Sequence, residues 1–202
     1  MPFSNVNARV DEARGRIADA VRRGGHGQEV RIIAVTKTHG PDAVEAARRA
    51  GIFDVGENKV QEALDKQSAL SASQEWANEM RWHLIGHLQR NKVRFLDRFT
   101  LLHALDSARL ADAVNDFGLA APERDVNALF QVNVAGEETK GGFDTSDVER
   151  EAERLLGMRG LRVTGVMTMA PFSASESQLR RVFGGARTAL RRAGRAWRSG
   201  KR

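Results

Sequence analysis

Six apolar runs, each followed by a segment of helical spacing, constrain this chain more than any other feature. They occupy residues 30–36, 52–58, 81–86, 100–107, 128–136 and 161–172. The intervening segments carry apolar residues three and four apart, the spacing of one helix face. A leading segment, residues 4–23, places Val6, Val10, Ala13, Ile17 and Val21 at that spacing. Ser4 or Asn5 is placed to cap it, and "GGHG" to stop it. Pro41 suits a first helical turn and Gly51 the position past a helix end. Asp106 or Ser107 suits the cap of a helix over 108–118. Further helices are expected over 88–97, 145–157 and 174–197. Strict alternation with mostly apolar strands predicts a parallel sheet covered by helices.

Two parallel folds compete. A doubly wound sheet binds nucleotides through a Gly-rich first turn. The first turn here, "TKTHGPD", holds neither G-x-G-x-x-G nor G-x-x-x-x-G-K-[ST]. Instead the strands close on Lys37, Asn58, His87, Asp106, Asn133 and Met169. Residues spread over the ends of many strands suit a (β/α)8 barrel of the TIM type. A closed barrel has eight strands and six are read here, so the expectation is a barrel incomplete at its C-terminus, without its last two strands. No linker divides the chain. Residues 1–183 are expected to form one domain and 184–202 a basic tail.

There is no cysteine, which excludes disulfides, Cys-ligated metals and cysteine nucleophiles. No run reaches the roughly 18 apolar residues of a membrane span. The N-terminal segment carries acids and no apolar core of a signal peptide. The expectation is a cytoplasmic protein that does not meet a membrane. The net charge of +6 is local, because residues 177–202 hold nine Lys or Arg and no acid. The basic end reads as a solvated helix end or extension, and nucleic acid is not the expected partner.

In the run at 30–36, Ile33, Val35 and Lys37 share one strand face and Ile32, Ala34 and Thr36 the other. Lys37 is then either a solvated strand end or an amine at a barrel rim, where partial desolvation favours nucleophilic chemistry. Asn58 either caps a helix or offers a donor and an acceptor to a ligand. His83 and His87 stand four apart, but Gly86 breaks the span and no third ligand accompanies them, so no metal is expected. His83 reads as a core residue and His87 as a rim residue. "VNVAGEETKGGF" is either a solvated loop or, through Gly136, Gly141 and Gly142, an unusual backbone path. The methionines of "GVMTMAPF" either pack or form one wall of a flat ligand's slot.

"AVTK", "DVGENKVQEALDK", "WHLIGHLQRNK", "VNVAGEETKGGF" and "GVMTMAPF" stand in the order and spacing of one family. Over residues 6–183 the chain resembles the pyridoxal phosphate homeostasis family. That resemblance implies an alanine-racemase-like barrel with pyridoxal 5′-phosphate (PLP) held as a Schiff base on Lys37. It implies Asn58, His83 and Met167 as further cofactor-binding residues, with no catalytic residue and no metal. The implied role is intracellular homeostasis of PLP and of amino- and keto-acid pools, with PLP-dependent apo-enzymes as partners and no established turnover.

The chain departs from the family in three places. It has no tyrosine. A racemase-like PLP enzyme acting on amino acids, the second reading, sets a tyrosine opposite its lysine. Lys59 stands where the family commonly has tyrosine. After the sixth helix no segment resembles the family's "SMGMS" or "VRIG"; the end reads as truncated or frame-shifted from about 184–195. Barrels commonly grip phosphate with the loops after strands seven and eight. A truncated copy with weak or no PLP binding is therefore the third reading.

Overall fold

The computed structural model describes residues 3–123, 126–136 and 141–199, with side chains as far as Arg195. Its strands are β1 (Ala34–Val35), β2 (Asp54–Glu57), β3 (Arg81–Leu84), β4 (Leu101–Leu105), β5 (Asn127–Gln131) and β6 (Arg162–Met167). They stand in one six-stranded sheet in chain order, and the described pairings are parallel, as the alternation predicts. By contact the chain divides into two compact units, Met1–Glu57 with Gln61–Trp82 and Asn58–Val60 with His83–Arg202.

In the first unit Ala34 pairs with Val55 and Val35 with Gly56. The run at 30–36 keeps only two residues as strand, and just past them the Thr36 N–H bonds the Gly56 carbonyl at 3.1 Å. Helix α1 (Val6–Gly24) ends where expected: Gly25 takes φ +64° and its N–H bonds the Val21 carbonyl. Asn5 holds the cap position, but its side chain makes no cap bond. The Phe3 carbonyl accepts from Val6 N–H instead. Helix α2 (Pro41–Arg49) opens on Pro41, and Gly51 follows it with φ +70°. The inner face of α2 is Ala43, Val44, Ala46 and Ala47, small enough for close approach to its neighbours. Arg81 reaches buried Asp54 through Nε and Nη2 at 2.8 and 2.6 Å, and its N–H bonds the Phe53 carbonyl at 2.8 Å. A buried carboxylate is tolerable in β2 because this two-bond partner satisfies it. Helix α3 (Val60–Ser73) buries Ala63, Lys66, Gln67 and Leu70.

In the second unit His83 pairs with Leu101, Leu102 with Ala128, and β5 with β6 from Asn127–Arg162 to Gln131–Met167. Leu84, Leu102, Leu105, Phe130 and Val132 make the sheet's share of the core, and α4 (Ala108–Leu119) adds Leu110, Ala111 and Val114. Ser107 caps α4 by accepting from Leu110 N–H at 3.4 Å. The helix expected over 88–97 is a 3-10 segment, Arg90–Arg98. Its buried residues, Val93 and Leu96, are three apart, the repeat of a 3-10 turn. Helix α5 (Val148–Leu156) begins three residues later than expected. Helix α6 (Glu176–Ser199) runs unbroken through residues 183 and 184, where the basic tail was expected to begin.

Candidate functional site

Strand parity decides the environment of Lys37. Thr36 is 3% exposed and points inward, while Val35 and Lys37 on either side are exposed. Thr36 Oγ1 donates to Glu57 Oε1 at 2.6 Å, and its carbonyl accepts from Lys66 Nζ at 2.8 Å. Lys66 Nζ also lies 2.7 Å from Glu57 Oε1 and 3.0 Å from Glu62 Oε1. Glu57 is fully buried and Lys66 nearly so. One ammonium thus bridges two carboxylates and a carbonyl in a dry place, where such bonds are strong if satisfied and costly if broken.

On the far side of Lys37, the Thr38 N–H donates to the Glu62 carboxylate, and Thr38 Oγ1 donates to the Lys37 carbonyl at 2.6 Å. Thr38 has φ +67°, a region that β-branched residues avoid. His39 N–H returns to the Thr36 carbonyl at 3.2 Å and closes the turn. The Phe3 ring stands edge-on to His39 at 5.5 Å. The main chain of Lys37 is therefore gripped before and after the residue. Among the described residues no carboxylate or other side-chain partner meets its amine.

Lys37 belongs to the first unit; Asn58, His83 and Met167 belong to the second. Asn58 is half-buried just past β2. A Cβ on Gly86 would fall 2.5 Å from its carbonyl oxygen, so "LIGH" needs glycine for close approach. His83 is buried in β3, its Nδ1 3.0 Å from His103 Nε2. Burial first, and the neighbouring His83 charge second, lower the His103 pKa to about 4. His87 is exposed, and its Nδ1 lies 2.6 Å from Oδ2 of Asp106, whose side chain is 8% exposed. The two histidines four apart thus turn to different partners. Among the described residues no group of three or more His, Cys, Asp or Glu could hold a metal ion. Met167 is half-buried at the end of β6, and its carbonyl accepts from Val132 N–H at 2.9 Å.

In "VNVAGEETKGGF", residues 137–140 lie outside the described residues. On either side of them, Gly136 N–H bonds Asn133 Oδ1 at 3.0 Å and Gln131 Nε2 donates to the Gly141 carbonyl at 2.6 Å. Gly136 and Gly142 have φ of +71° and +128°, the unusual path that the glycines permit. Each of Lys37, Asn58, Asp106, Asn133 and Met167 ends or follows a strand at its carboxyl end. A cleft of about 390 Å³ lies at the other end of β1 and β2, lined by Arg14, Val30, Arg31, Ile32, Phe53 and Arg81. Its arginines are engaged, by the Ala50 and Gly51 carbonyls, by Glu29 and by Asp54.

Sequence reasoning passed over Lys66, Glu62, His103 and the buried role of Glu57. A signal existed for Lys66: it falls on the apolar face of α3, between Ala63 and Leu70, where a charge needs a partner.

Residues 11–199 match the family described as alanine racemase, N-terminal domain. A pyridoxal phosphate homeostasis protein of Aquifex aeolicus (strain VF5) is 33% identical over 183 residues, 89% of this chain and 77% of that protein. The structure of PipY of Synechococcus elongatus PCC7942 with PLP bound superposes with a TM-score of 0.73 at 29% identity, over 87% of this chain and 80% of that one. Alanine racemase of Corynebacterium glutamicum, 16% identical, shares the fold with a TM-score of 0.63 over 83% of this chain and 46% of its own. The described α/β fold with its six-stranded parallel sheet is thus alanine-racemase-like, as expected.

Proposed function

The chain belongs to the pyridoxal phosphate homeostasis family, of the alanine racemase N-terminal-domain type, and from that premise we propose that it binds PLP with Lys37 as the point of covalent attachment. One observation carries the assignment. Lys37 offers an amine without a partner among the described residues, on a main chain fixed at both Thr36 and Thr38. Lys66, the other lysine of the first unit, has its ammonium bonded to Thr36, Glu57 and Glu62. PLP, when bound, supplies an aldehyde that condenses with primary amines. The residues fit that end of the cofactor: an available amine, on a main chain fixed at both neighbours, at the carboxyl end of a parallel strand.

Asn58, His83 and Met167 are the further cofactor-binding residues of this reading. Asn58 and Met167 keep half-exposed side chains at strand ends, and His83 acts from within the sheet. The role is to hold PLP and release it to PLP-dependent apo-enzymes, which keeps PLP and amino-acid pools in balance. Turnover of the two-base racemase kind is not part of the reading, since the chain has no tyrosine to stand opposite the lysine. No helix among the described residues is long and apolar enough to cross a membrane.

Incubation with PLP, reduction with borohydride and peptide mass spectrometry test the assignment. The label is expected on Lys37, and Lys37→Ala should abolish it. Label spread over surface lysines, or absent from Lys37, would overturn the reading.

A further inference from the structure

We propose that Glu62 and Lys66 are positioning residues, which hold the main chain on both sides of Lys37 and so set the direction in which its amine leaves the strand. The proposal rests on the reading of Lys37 as the attachment point. Its basis is the convergence of three bonds, two of them to the main chain, on the residues that flank Lys37. Lys66 Nζ takes the Thr36 carbonyl at 2.8 Å, Thr36 Oγ1 is fixed on Glu57 at 2.6 Å, and the Glu62 carboxylate takes the Thr38 N–H. Lys66 joins the two carboxylates, at 2.7 and 3.0 Å, so the grips before and after Lys37 are one unit.

The strain at Thr38 shows what the grip does. A threonine at φ +67° persists where its surroundings over-determine it. Within the turn the Thr38 hydroxyl bonds the Lys37 carbonyl and His39 N–H the Thr36 carbonyl, and the Glu62 carboxylate adds the hold from outside by accepting the Thr38 N–H. Glu62 lies in the first turn of α3, where an acid already favours the helix. Helix stability alone does not require that its carboxylate also reach residue 38. Without the grip, Thr38 relaxes towards ordinary backbone angles and the turn over 36–39 reorients Lys37. Misaiming a reacting group costs rate and affinity although the group itself is intact.

The test uses the full chain and the borohydride label, titrated with PLP. Glu62→Ala and Lys66→Met should each need about tenfold more PLP for half-labelling of Lys37. Thr38→Gly, placed in the Glu62→Ala background, should return the midpoint to within about threefold of the parent protein, since glycine adopts φ +67° without strain. Relief of that strain also adds fold stability, so the melting temperature of each variant is measured beside its label, and a midpoint restored while all the variants are fully folded at the labelling temperature reports aim. Lys66→Met strands the buried Glu57 charge and risks misfolding; the Glu62 side chain is 25% exposed, so Glu62→Ala carries the test alone if needed. Variants that titrate like the parent, or a loss that Thr38→Gly does not restore, overturn the positioning roles. A parent protein that takes no label on Lys37 overturns the attachment reading itself, and this proposal with it.

Discussion

His103 enters the folded state neutral, its pKa lowered to about 4 by burial and by His83. In the unfolded chain an ordinary histidine titrates near 6.5. Between those values the unfolded state binds the extra proton, so stability falls as pH drops from about 6.5 towards 4. The ring is part-exposed, and with solvent screening the loss is about 1–2 kcal/mol. Urea denaturation at pH 7, 5 and 4 should show it, and His103→Gln should flatten the slope in that window. An unchanged slope in the variant would assign the acid sensitivity to other groups. His103 was not legible beforehand, because "TLLHALDS" is simply a strand until β3 sets His83 beside it. At Lys37, alternation set it on the other strand face from Thr36 but left a solvated strand end and a rim amine both open, and the motif resemblance singled the residue out. Lys66 lay between these cases: the face of α3 marked it, but only the docked helix reveals its partners.

At the scale of elements, periodicity carried furthest where one face alone is buried. Helix α6 shows this: Val182, Ala189 and Ala193 are buried at spacings of seven and four, the spacing of one helix face. The helix is tied to α5 and the loop before it, with Arg192 bonding Glu149 at 3.0 Å and the Thr145 carbonyl at 2.8 Å. The basic run therefore carries structure as well as charge. Ala193→Leu should overpack this face and cost about 1–3 kcal/mol, a fall in Tm of roughly 2–4 °C per kcal/mol for a chain this size. The exposed control Arg195→Gln should stay within about 0.5 kcal/mol. Equal melting temperatures would mean that this end of α6 does not pack as described. Periodicity did less well at Arg90–Arg98, where two buried residues three apart suit an α-helix and a 3-10 turn alike. It also overextended β1, because an apolar run does not record which residues find strand partners, and Val30 and Val35 within it are exposed.

For the whole molecule, strand–helix alternation made the parallel architecture legible, and motif order gave the family. The phosphate end of the ligand is a different matter. Barrels commonly seat phosphate on loops after strands seven and eight, where backbone N–H groups are fixed in place. The described residues form six strands. On the weak-binding reading, attraction of these 202 residues for the PLP phosphate comes from unfixed cationic side chains, which salt screens over about 8–10 Å. A fair comparison is 5′-deoxypyridoxal, which lacks the phosphate and cannot close on its own aldehyde as pyridoxal does. PLP should label Lys37 at a concentration less than about tenfold below that needed for the deoxy compound, a preference worth under about 1.4 kcal/mol. Raising the salt to about 0.5 M should erase most of that preference. A preference a hundredfold or more, unmoved by salt, would require a built phosphate seat within these 202 residues, and the weak-binding reading would fall.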